Sequence, residues 1–148
     1  MNGEKMLDYQ SLATNFRNMI ERARNERRFP IRDRMSGFPR GCCDDATDLF
    51  AHHLWIKYGL KSVRVDGSYY DDDPEKNIWH TWLEIDGIIV DLTSDQFPKY
   101  KNIYVGKEDD FHSMFEVKRQ EYVGYLSHSD SCWERMNMRY KAIVDIDL

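Results

Sequence analysis

Three residue types that together can make or break an acyl bond occur in one stretch of this chain, in a fixed order. Two cysteines, Cys42 and Cys43, follow Gly41 at the head of an apolar, helix-like segment. His80 stands in Trp79-His80-Thr81-Trp82-Leu83-Glu84-Ile85, and Asp91 in Ile88-Ile89-Val90-Asp91-Leu92-Thr93. A cysteine attacks as its thiolate, and a helix N-terminus favours that anion through unpaired N–H groups and the helix dipole. An imidazole can carry the proton, and a carboxylate can fix the imidazole tautomer. The chemistry implied is attack of sulfur on an acyl carbon, with His80 passing the proton to the leaving amine and later activating the acceptor. The cysteine N–H at the helix start would help hold the oxyanion.

The elements that must position these groups are legible around them. Residues 42 to 58 read as a helix with Ala46, Leu49, Phe50, His53, Leu54 and Tyr58 on one face and a Gly59 stop. Asp44, Asp45 and Asp48 suit its first turns, although they oppose a nearby thiolate unless they point away. Gly41 lets backbone come close to a bound substrate. Segments 79–85 and 88–93, joined by Asp86-Gly87, form the strongest hairpin signal in the chain. With those two residues as the turn, Ile85 faces Ile88, Trp82 faces Asp91 and His80 faces Thr93. His80 and Asp91 then share a sheet face as diagonal neighbours about 7–8 Å apart, within side-chain reach. A three-residue loop would break that parity.

Elsewhere, residues 7 to 28 predict an amphipathic helix with Leu12, Phe16, Met19, Ile20 and Ala23 inward. Residues 29 to 41, with Pro30, Gly37, Pro39 and Gly41, predict a loop. Ser62 to Gly67 alternates as a half-buried strand would. The acidic run Tyr69 to Lys76 ends it, and Lys101 to Val105 reads as a further short strand. Phe111 to Leu126 has no clean period. Trp133, Met136, Met138, Tyr140 and Ala142 suit a C-terminal helix.

These residues now carry a resemblance. Gly41-Cys42-Cys43, His80-Thr81-Trp82 and Asp91-Leu92-Thr93 are similar to the G-x-C, H-x-W and D-x-T motifs of the transglutaminase-like branch of the papain-fold superfamily. Asp95-Gln96-Phe97 also resembles small bacterial members. The likeness spans about residues 37 to 98. It implies an α+β, papain-like fold over 1–148, with N-terminal helices packed on an antiparallel sheet. It implies Cys43, rather than Cys42, as nucleophile, with His80 and Asp91 completing a triad. Trp82, Gly41 and Gln96 are the expected substrate contacts. The implied function is cysteine protease, transglutaminase or deamidase chemistry on a protein or peptide amide, with no metal or organic cofactor. Papain-like proteases place a glutamine shortly before the cysteine, and Arg34 to Arg40 contains none. The second oxyanion donor is thus unassigned, with a backbone N–H or Trp82 as candidates.

Composition narrows the rest. The chain has 148 residues, enough to bury roughly 70% of its unfolded surface as one domain. A net charge of −5 disfavours nucleic-acid binding. No apolar run reaches membrane-spanning length. Three cysteines and a polar N-terminus fit a reduced, cytoplasmic protein, or an effector exported without a cleaved signal. Cys42, Cys43, His52 and His53 lack zinc-ligand spacing, and Asp71-Asp72-Asp73 lacks the glycine and glutamate of a calcium loop. His112, His128 and Cys132 carry no motif. The competing reading is a binding module of immunity or adaptor type, in which the same fold presents an unreactive thiol to a protein partner.

Overall fold

The turn at Asp86-Gly87 sets the centre of the architecture. Both residues take positive φ, 51° and 77°, the backbone of a tight two-residue hairpin turn. The flanking strands pair Ile85 with Ile88, Glu84 with Ile89 and Leu83 with Val90, the register expected of that turn. The computed structural model describes residues 8–96, 103–121 and 130–144, and the side chains of all of these except Gln96 and residues 130–133. In chain order, the helices are α1 (Tyr9–Asn25), α2 (Cys43–Tyr58), α3 (Asp110–Ser113) and α4 (Asp130–Val144). The strands are β1 (Val63–Tyr69), β2 (Ile78–Ile85), β3 (Ile88–Asp91), β4 (Tyr104–Gly106) and β5 (Glu116–Glu121). They form an antiparallel sheet in the order β4-β3-β2-β1-β5. The protein is therefore α+β. No helix among the described residues is long and apolar enough to cross a membrane.

Strand alternation sends side chains to two cores. Leu83, Ile85 and Val90 meet Phe16, Ile20, Leu49, Phe50 and Leu54 of α1 and α2, with Met136 and Ile143 of α4. Trp82 and Ile89 point the other way, to Val65 and Phe115. Each large apolar side chain removed from water contributes about 1.5–3 kcal/mol. Helix α1 starts where Asp8 accepts from the Ser11 N–H at 3.1 Å, and α2 stops at Gly59, whose φ of 61° only glycine adopts freely. His53 is satisfied within the helical core: its Nδ1 lies 2.9 Å from the Tyr140 hydroxyl, and its ring stacks on Phe16.

Two elements depart from expectation. The segment after Phe111 contains β5, a charged edge strand that runs along β1. The loop 29–41 contains a short 3-10 turn, Arg34–Gly37, capped by Asp33. The strand expected over Lys101 to Val105 is observed at Tyr104–Gly106; Lys101 and Asn102 lie outside the described residues.

Gly67 in β1 sits opposite His80. A Cβ there would lie 2.9 Å from Phe115 Cβ and 3.0 Å from the Trp82 ring. Gly67→Ala is accordingly expected to cost about 1–3 kcal/mol through overpacking. Thermal unfolding checks this; an unchanged Tm would mean that Phe115 yields freely.

Candidate active site

Helix α2 delivers the thiol. Cys43 is its first residue, where the backbone N–H has no partner within the helix. Cys42, one residue earlier, is fully buried, and its thiol donates to the carbonyls of Arg34 (3.2 Å) and Arg40 (3.3 Å). Burial, reinforced by the Asp45 charge, pushes the Cys42 thiol up to about 12. Cys42 is therefore a structural thiol, and Cys43 is the one that opens on a cavity. That cavity, of about 330 Å³, is lined by Cys43, Asp44, Arg64, Trp79, His80 and Thr81, among others. A larger hollow, of about 770 Å³, lies along the loop between Asp33 and Arg40 and is lined by neither Cys43 nor His80.

Strands β2 and β3 deliver the imidazole and carboxylate. His80 Nε2 donates to Asp91 Oδ2 at 2.7 Å, and both side chains are wholly buried. Asp91 Oδ1 accepts from the Thr93 N–H at 3.0 Å. Burial alone would lower the His80 pKa. The Asp91 charge and hydrogen bond, joined by the Cys43 thiol, outweigh it and hold the imidazole at about 9. Burial would raise Asp91, and the two imidazoles that donate to it bring it below the usual carboxylate range instead. With Nε2 committed to Asp91, Nδ1 is the nitrogen left for the thiol. The three residues predicted to act together thus share one site.

The second imidazole on Asp91 comes from His112 in α3. Its Nε2 lies 2.8 Å from the same Oδ2, and its Nδ1 lies 2.6 Å from Asp109 Oδ1. Sequence reasoning set His112 aside. The one local signal was Asp109 three residues before it, which caps α3 by accepting the His112 N–H at 2.8 Å.

Other missed residues hold the parts in register. Thr47 bonds to the Cys43 carbonyl and lies 3.3 Å from that of Thr81, which ties the head of α2 to the strand of His80. Asp48 pairs with Arg64 of β1 at 2.7 Å. Asp45 pairs with Arg139 at 3.1 Å and Arg34 at 3.2 Å. Two of the three acids near the thiol, Asp45 and Asp48, are in this way offset by arginines. Arg17 of α1 grips the Leu92 carbonyl at 2.7 Å and both oxygens of Asp95 at 2.8 Å, which fixes the chain just beyond Asp91.

The expected substrate contacts fare differently. Trp82 is 2% exposed and packs with Val65, Ile89 and Phe115. It shares the His80 side of the sheet, yet Val65, Ile89 and Phe115 enclose it there, and it is not among the residues that line the cavity. Trp79 is the tryptophan that lines the cavity, at 61% exposure. Gly41, with φ of 67°, forms the turn into Cys42. Gln96 ends a 3-10 turn, Ser94–Gln96, and its side chain is outside the described set.

His80, Asp91 and His112 offer donor atoms within 4.8 Å of one another, the one such group among the described residues. Here, however, Asp91 Oδ2 lies between two imidazole nitrogens at hydrogen-bond distance from each. A cation bound by all three would have to replace the protons in those bonds. No family model, curated protein or solved structure matches this chain.

Proposed function

We propose that this protein is a cysteine-nucleophile enzyme that transfers or hydrolyses an acyl group from a protein or peptide amide, built on a papain-like, transglutaminase-like fold. One observation carries the reading: Cys43, at a helix start, and His80, held by a buried Asp91, open on the same cavity. The motif resemblance, carried by the same residues, agrees with it.

The roles follow from position. The Cys43 sulfur attacks the acyl carbon, a C–S bond forms, and the Cys43 N–H faces the developing oxyanion. His80 gives its proton to the amine nitrogen as the C–N bond breaks. A water or amine then loses a proton to His80 and attacks the thioester, which returns the thiol. Asp91 keeps the ring oriented and balances its charge throughout. Trp79 offers an aromatic wall to whatever flanks the acyl carbon.

Alkylation by iodoacetamide, followed peptide by peptide against pH, tests the reading. Cys43 is expected to react about 100-fold faster than Cys42 near neutral pH and to slow about tenfold or more in His80→Ala. A chelator should leave the rate unchanged. If the two thiols react alike in the folded protein, or if Cys43 ignores the loss of His80, the enzyme reading fails and the binding-module reading takes its place.

A further inference from the structure

Asp91 serves two histidines, and a triad needs only one. Both His80 and His112 place Nε2 against Oδ2 of Asp91, at 2.7 and 2.8 Å, while Oδ1 takes the Thr93 N–H. We propose that His112 is a positioning residue for the candidate site: it shares the Asp91 oxygen that holds His80 Nε2 and thereby sets how strongly the carboxylate favours the protonated His80 ring, whose other nitrogen, Nδ1, delivers the proton. This rests on the triad reading above.

A plain alternative is that His112 merely pins the short helix α3 to the sheet, as many buried histidines pin loops. The geometry asks for more than that. The His112 side chain is wholly buried, and each ring nitrogen meets a carboxylate oxygen. A carboxylate accepts and does not donate, so a ring that serves two of them donates from both nitrogens. The groups around the ring are Asp91 of β3, Asp109 at the head of α3, His80 of β2 at 6.4 Å between ring centroids, and Tyr104 of β4 at 5.1 Å. Trp82 and Phe111 enclose it with apolar surface. In so dry a setting, a donor on Oδ2 strongly diminishes what that oxygen offers to any other donor.

The sign of the effect follows. With His112 present, Asp91 divides its charge between two N–H groups, and His80 gives up its proton more readily to a leaving amine. With His112 replaced by a ring that cannot donate, the full carboxylate faces His80. The proton is then held more tightly, and proton delivery weakens. Asp109 acts at one remove, by holding the other nitrogen of the same ring. The arrangement joins Cys43, His80, Asp91, His112 and Asp109 into one line of partners that runs from the cavity to a carboxylate 22% exposed.

Histidine-selective nitrogen NMR reads this directly, because it follows the His80 ring without any substrate. In His112→Phe the His80 titration midpoint is expected to rise by about half a pH unit or more. In His112→Gln, whose amide can still donate to Asp91, a smaller rise is expected. A midpoint that does not move in either variant overturns the proposal and leaves His112 as a structural pin. Should both variants fail to fold, the wild-type spectrum decides the matter. Protonated Nε2 on both His80 and His112 supports the shared oxygen, and an unprotonated Nε2 on His112 excludes it. Cys43 alkylation in the same samples keeps the two readings separate. Slow, His80-independent alkylation in the wild type would sink the proposed function and leave the titration result intact.

Discussion

Asp91→Ala is expected to lose about 3–5 kcal/mol of folding free energy, enough to unfold a marginal domain. The carboxylate is fully buried and accepts from His80, His112 and the Thr93 N–H, so truncation strands three donors in a dry interior. Asp91→Asn keeps the shape, loses the charge, and should cost less stability while removing most of the His80 reactivity effect on Cys43. The pH dependence has a definite sign. His80 is raised to about 9, so its contribution is complete below about pH 6.5 and is lost as pH rises through 9. Asp91 is depressed, so its contribution is present above about pH 4 and lost as pH falls through its folded value. Denaturant unfolding at pH 5.5 and pH 10 should therefore show a fall in wild type that is much shallower in Asp91→Asn. An equal fall in both proteins would mean that the pair does not control alkaline stability.

Cys43→Ser is expected to reduce acyl transfer from an activated ester or a peptide amide to the level of uncatalysed reaction, a loss on the order of 10⁴-fold or more. The substitution changes one atom at the first residue of α2, beside a cavity, and should leave Tm within about 1 kcal/mol equivalent of wild type. Cys42→Ser is the informative control. It disturbs a buried thiol that donates to two carbonyls, so it should affect stability before it affects turnover. If Cys43→Ser kept turnover while Cys42→Ser lost it without unfolding, the assignment of the nucleophile would be reversed.

Much of this site was legible because its central geometry is local. Asp86-Gly87 dictates a two-residue turn, the turn dictates the register, and the register puts His80 and Asp91 on one face. The ends of α2 were equally readable from Gly41 and Gly59. Periodicity did less well where side chains are held by partners distant in the chain. Arg17 looks like an exposed helix charge, yet it is 3% exposed because Asp95, 78 residues on, takes it in a bidentate pair. His112 reaches Asp91 from a four-residue helix too short to show any period. Strand β5 reads Glu-Val-Lys-Arg-Gln-Glu, with only Val117 half-buried, so its apolar alternation is lost to edge charges. The two tryptophans beside His80 mark a further boundary. Alternation correctly assigns Trp82 to the His80 side, but it does not say which residues of that side are enclosed, and Phe115 encloses Trp82.

Strand β2 is the middle member of five and pairs with β1 from Ile78 to Glu84, whereas Cys43 is the first residue of a helix that follows a glycine turn. The two halves of the site are therefore held in place by different means. Amides near His80 can exchange with solvent only when the centre of the sheet opens, which takes nearly the whole unfolding free energy. The head of α2 is locked by side chains instead: Thr47 to the Thr81 carbonyl, Asp48 to Arg64 and Asp45 to Arg139. The imidazole and its carboxylate thus form a template held by backbone pairing, and the place of the thiol beside it is held by side chains. Any influence that adjusts reactivity without loosening the protein would find its lever at the start of α2.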